Sequence, residues 1–176
     1  LALLNPDLDV VAVPATVVIL AILFAVQSRG TNTIGKVFGP VTFVWFTLIG
    51  GLGVYRIMQH PDVLVALSPT YAIQYFASHG LHSIFVLAAV ILVVTGAEAL
   101  YTDMGHFGAR PIRIAWAFIV GPSLVLCYLG QAALLMHEPS AIANPFFALA
   151  PNRPMTLVLI VVATAATIVA SQALIT

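Results

Sequence analysis

Charge is what this sequence has least of. Of 176 residues, six are basic and six acidic, 7% together, and the formal net charge is zero. Soluble globular domains carry about 25% charged residues, so the chain lacks the polar surface that would keep a folded domain of its size in water. Nucleic acid is excluded as a partner for the same reason, because phosphate binding needs clustered Lys and Arg. Cysteine is nearly missing too. Cys127 is the only one, set in an apolar stretch, so there is no internal disulfide and no disulfide scaffold. No basic region precedes the first apolar run, so no signal peptide is expected there. What the chain has in abundance is apolar side chain, 61% of residues, with a mean hydropathy of +1.09. The expected class is an all-α integral membrane protein.

A spanning helix needs about 20 mostly apolar residues. Five segments qualify: 10–27, 38–57, 83–103, 112–136 and 155–176. They form a single transmembrane region, and the apolar runs at both ends of the chain read as part of a longer polypeptide. The second segment is rich in small residues (Gly50, Gly51, Gly53), and Gly121-Pro122 predicts a kink in the fourth. The fifth carries Thr164, Thr167 and Ser171 beside a stripe of alanines, a face suited to close helix packing. Between the second and third spans, the amphipathic stretch Thr70–Phe76 predicts an interfacial helix, its Tyr71, Tyr75 and Phe76 suiting the headgroup region. His137 to Pro154, with four prolines and Phe146-Phe147, predicts a structured loop packed on the membrane face. The loops after the first and third spans hold Arg29, Lys36, Arg110 and Arg113, against Arg56 and Arg153 after the second and fourth. Positive charge stays inside, so residues 28–37 and 104–111 are expected in the cytoplasm.

Chemistry is expected in the third span. Glu98 is the one acidic residue well inside an apolar segment. A carboxylate at the bilayer centre costs about 2.5–3.5 kcal/mol on insertion scales, and desolvation favours its protonated form, as a proton carrier requires. The structural alternative is a carboxylate bonded to neighbouring helices. The purely apolar part of this span, Ile84 to Val94, is too short to cross alone, and Gly96 interrupts the remainder. A short, glycine-interrupted span is the mark of a broken transporter helix. Thr95 and Glu98 offer hard oxygen ligands, suited to an alkali cation or a proton and not to zinc. Asp103 and His106, at the exit of the span, suit a gate or a proton path, though a turn accounts for them as well. Gly30 to Lys36 has phosphate-loop spacing, but Val37 stands where Ser or Thr must follow. His79 and His82 have loose metal spacing with no third ligand in sequence, and His137-Glu138 lacks the second His of a zinc protease helix. No nucleophile, metal cluster or cofactor motif points to an enzyme or a bound cofactor.

The stretch from Val94 through Thr95-Gly96-Ala97-Glu98-Ala99-Leu100-Tyr101-Thr102-Asp103-Met104-Gly105-His106 to Gly108 closely resembles the signature of the Kup/HAK/KT potassium uptake transporters. Phe38-Gly39-Pro40-Val41, Trp45-Phe46, Pro61-Asp62-Val63-Leu64, Ala66-Leu67-Ser68-Pro69, Pro111-Ile112-Arg113, Gly130-Gln131, Asn144-Pro145-Phe146-Phe147 and Ala170-Ser171-Gln172-Ala173 continue it in collinear order. The resemblance implies a LeuT-like inverted-repeat bundle of about twelve spans that moves potassium inward with protons. The five spans here match its fourth to eighth, with the helix broken near Gly96 as its sixth. It implies a potassium ligand at Thr95, shared with helices outside this chain, and proton coupling at Glu98. Gly96, Tyr101, Asp103 and His106 fall on its pathway or gate. The expected partners are potassium, protons, the lipid bilayer and the rest of the polypeptide, with a homodimer left open. The expected location is a bacterial inner membrane. Thr102 departs from the family's usual Ala and Cys127 from its frequent Asn. The family's first broken helix, which supplies the other half of the site, is not in this stretch. Two other readings stay open: an amino-acid/polyamine-type carrier of the same fold, and a non-transporting membrane assembly subunit.

Overall fold

The computed structural model describes residues 14, 16–18, 21, 35–94 and 109–175. The chain divides into two compact units, one of Leu1–Phe43 with Val162–Thr176 and one of Val44–Val161. Every described element is helical: α1 (Gly35–Gln59), α2 (Pro69–His79), α3 (Leu81–Val94), α4 (Ala109–His137), a short α5 (Pro145–Ala148) and α6 (Arg153–Ile175), with 3₁₀ turns at Pro61–Leu67 and Pro139–Ala143. Among the described residues, α1, α4 and α6 are long and apolar enough to cross a membrane, and α3 is a shorter apolar helix.

Proline sets most of the boundaries. His60, Ser68, Glu138 and Asn144 each precede a proline, and each leaves the helical region, at φ/ψ of −134/73, −77/122, −125/76 and −150/66. The cause is the clash of the proline ring with the preceding residue's backbone. Gly80, at φ +51 and ψ −128, closes α2 and donates its N–H to the Phe76 carbonyl at 3.2 Å, so that α3 begins at once. Asn152 caps α6, its Oδ1 accepting the Met155 N–H at 3.0 Å.

The sequence predicts a kink at Gly121-Pro122. Just before that step the structure winds Trp116–Val120 as a turn of π-helix, a local cause of helix kinks. Pro122 has no N–H for the carbonyl four residues back. The Gly121 N–H reaches the Trp116 carbonyl, five residues back, and the wider turn takes up the mismatch.

In the unit Val44–Val161 the core lies where α1, α4 and the first part of α6 meet. Ile49, Leu52, Cys127, Leu149 and Leu159 are buried together, with Trp45, Phe46, Leu124, Phe146, Phe147 and Met155 around them. The loop after α4 is therefore structured, as its composition predicts, but it packs on the helix bundle: Trp45 and Phe146 rings stand 5.7 Å apart. Elsewhere large apolar side chains face outward. Leu92 and Phe118 are 79% and 78% exposed, a surface for lipid or other helices rather than water. In the other unit, the Thr167 and Ser171 hydroxyls bond back to their own helix, at 2.9 Å to the Ala163 carbonyl and 2.8 Å to the Thr167 carbonyl. Back-bonding satisfies them without a partner helix.

Candidate functional site

The residues that sequence reasoning ranks first, Thr95, Gly96, Glu98, Tyr101, Asp103 and His106, lie outside the described residues. The described residues give the helices that precede and follow them in the chain. Glycine lets α1 and α4 touch backbone to backbone. A Cβ added at Gly53 would overlap the Leu126 carbonyl and stand 2.8 Å from the Cys127 nitrogen, and one at Gly130 would stand 2.6 Å from the Gly53 Cα. Gly50 faces Ser123, Gly53 faces Leu126 and Cys127, and Ile57 is buried with Ala133. Residue numbers rise together on both helices, so α1 and α4 run parallel. Two parallel spans end on the same side, and the chain between them must cross back. Among the described residues between them, α3 is the one apolar helix of any length. The 14 residues described of it reach about 21 Å at 1.5 Å per residue, against about 30 Å of hydrocarbon.

At the shared end of α1 and α4 a polar cluster assembles that sequence reasoning missed. Arg56, counted there only as a loop charge, has a side chain that is 11% exposed. Its Nη2 donates to the Ala148 carbonyl at 2.6 Å and its Nε to the Leu149 carbonyl at 3.1 Å. Its Nη1 donates to Gln59 Oε1 at 3.2 Å and lies 3.8 Å from Glu138 Oε1. The fork of donors pins the α5 turn, whose carbonyls have no helix left to bond. Beside it the His60 and His137 rings stack, centroids 3.7 Å apart and 17° from parallel. His137 Nε2 lies 3.6 Å from Asp62 Oδ2. His60, Asp62 and His137 each offer a ligand atom within 4.8 Å of the others. The available signal was that His60-Pro61-Asp62 and His137-Glu138-Pro139 each close a long apolar run. Only the parallel crossing makes those ends neighbours. His79, by contrast, is stacked on Tyr75 at 4.3 Å, with Nδ1 3.0 Å from the Tyr75 carbonyl.

Long apolar helices, an outward apolar surface and polar residues gathered at helix ends define an integral membrane protein. The K+ potassium transporter integral membrane domain matches the whole chain, residues 1–176, and the chain belongs to that family, one of transporters rather than enzymes. Relatives named "Probable potassium transport system protein Kup" include one from Paraburkholderia xenovorans, 54% identical over 170 residues, 97% of this chain and 27% of its own length. "Probable potassium transport system protein Kup 1" of Rhodopseudomonas palustris is 53% identical over 99% of this chain and 28% of its own length. "Probable potassium transport system protein Kup 2" of Paramagnetospirillum magneticum is 55% identical over 97% and 26%. The chain thus spans about a quarter of the length of these relatives. No solved structure matches it.

Proposed function

We propose that this chain is part of a carrier that imports potassium together with protons across a bacterial inner membrane. The observation that carries the reading is the parallel run of α1 and α4, with α3 the one apolar helix among the described residues between them. The return crossing then needs residues 95–108 as well, and that is where Thr95, Gly96 and Glu98 stand. A helix interrupted at Gly96 exposes carbonyl oxygens and aims a half-helix dipole at the site. Thr95 holds potassium there together with helices outside this chain, and Glu98 takes up and releases the coupled proton. Gly96, Tyr101, Asp103 and His106 line the path towards the cytoplasm. The bundle is of the LeuT-like inverted-repeat kind, with residues 28–37 and 104–111 cytoplasmic and His60, Asp62 and His137 on the outer face. The names carried by the relatives support potassium as cargo over an amino acid.

Glu98→Gln in the full-length protein tests the assignment, because it removes the titrating group and keeps shape and hydrogen bonding. Reconstituted into liposomes, the variant inserts normally and loses potassium uptake driven by a proton gradient. Undiminished uptake refutes the role of Glu98. Failure to insert or assemble points to a structural carboxylate instead.

A further inference from the structure

We propose that His60, Asp62 and His137 form a site for a borderline divalent cation such as Zn2+, clamping the Pro61–Leu67 turn to the end of α4. The tautomer of His137 is the first support. Its Nδ1 lies 3.0 Å from the Ala133 carbonyl of its own helix, an acceptor only, so Nδ1 carries the hydrogen and donates it. In the neutral ring Nε2 then has a lone pair, and that lone pair faces Asp62 Oδ2 at 3.6 Å. A neutral imidazole nitrogen and a carboxylate oxygen at that distance are two acceptors that a metal cation can bridge. The separation is too long for a hydrogen bond, and it is close to the about 3.3 Å that divides neighbouring ligand atoms around tetrahedral zinc, given zinc–ligand distances of about 2.0–2.1 Å.

The Ala133 carbonyl also does what the outer partner of a metal-bound histidine does: it holds the second ring nitrogen and so fixes the ring's direction. His60 supplies the third ligand. Its ring is partly exposed and now stacks on that of His137, so ligation swings it out of the stack until both in-plane lone pairs converge; all three ligand atoms lie within 4.8 Å of one another. Closure by at most about 1.5 Å, through rotation of the His60 side chain, brings them to zinc spacing. Glu138 does not compete, because its carboxylate lies beside Arg56. Two imidazoles and one carboxylate with room for a water select zinc or copper over magnesium and calcium, which want oxygen ligands throughout. The proposal does not rest on the transport reading, since its geometry lies wholly within residues 44–161.

The test is calorimetric titration of the purified full-length protein in detergent with zinc chloride. One ion per chain is expected to bind, with a Kd of about 1 µM or below, unaffected by excess Mg2+ or Ca2+. His60→Ala and His137→Ala each weaken binding about 100-fold or more and Asp62→Asn about tenfold, while His79→Ala leaves it unchanged. Equal binding by wild type and the His60→Ala/His137→Ala double variant overturns the proposal, as does no binding at all, which leaves an imidazolium–carboxylate pair. Should the variants fail to fold, Co2+ titration of the wild type decides. An intense visible absorption band from a four-coordinate site supports the proposal, and the weak spectrum of an octahedral ion overturns it.

Discussion

Gly53→Ala perturbs the parallel helix contact with a single methyl group. The added carbon overlaps the Leu126 carbonyl, and the reciprocal contact, from Gly130 to the Gly53 Cα, is 2.6 Å. Relaxed carbon–carbon contacts are about 3.5–4.0 Å. The obstacle is main chain on both sides, so no rotamer relieves it, and α1 and α4 must part by about 1 Å. A gap of that size forfeits a quarter to a half of each dispersion contact along the crossing. Overpacking of this kind costs about 1–3 kcal/mol, and a clash against backbone belongs at the upper end, about 3 kcal/mol. Gly51 on the same helix is the control, because a Cβ there meets nothing within 4 Å and alanine gains about 1 kcal/mol of helix propensity. Thermal denaturation of the full-length variants in detergent, followed by size-exclusion chromatography, reads the difference. Gly53→Ala and Gly130→Ala each lower the midpoint by several degrees, and Gly51→Ala does not. The double variant costs less than the sum, because parting the helices once relieves both clashes. Equal midpoints for Gly53→Ala and Gly51→Ala refute the parallel crossing, and with it the need for a return crossing through residues 95–108.

Arg56→Met removes two charge-assisted hydrogen bonds to the Ala148 and Leu149 carbonyls, each worth about 1.5–3 kcal/mol. The expected result is a loss of about 3 kcal/mol and earlier proteolysis of residues 138–152, with Arg56→Lys recovering only part because an ammonium cannot reproduce the fork. Gly80→Ala places a Cβ on backbone at φ +51 and ψ −128, where strain costs about 1–3 kcal/mol. It lowers the melting midpoint even though a Cβ there touches nothing within 4 Å.

Much of the helical layout was legible in the sequence. Apolar runs of spanning length mark α1, α4 and α6, because hydrocarbon thickness imposes a minimum length that composition reveals. The four X-Pro steps end elements for an equally local reason, since the proline ring acts on its immediate neighbour. Local signals left open what a longer stretch of helix decides. Gly121-Pro122 reads as a kink, but that the hydrogen bond Pro122 cannot make is taken up by a π-turn over Trp116–Val120 was not written in the dipeptide. Gly50, Gly51 and Gly53 read alike as small residues, but only Gly50 and Gly53 meet α4. Helix rotation decides which of them faces a neighbour.

The sequence by itself determined that this is a helical membrane protein, where its long apolar helices fall and which family its motifs resemble, because insertion in a bilayer depends on the composition of each segment in turn. Tertiary structure decided which helices run side by side and in which direction. Backbone contact at Gly53 and Gly130 sets α1 and α4 parallel, and their ends therefore share a face. That turned Arg56 from a loop charge into the pin of the α5 turn. It also turned two histidines from unrelated helix ends into stacked neighbours of Asp62, since proximity between distant residues belongs to packing and has no signature in either segment alone.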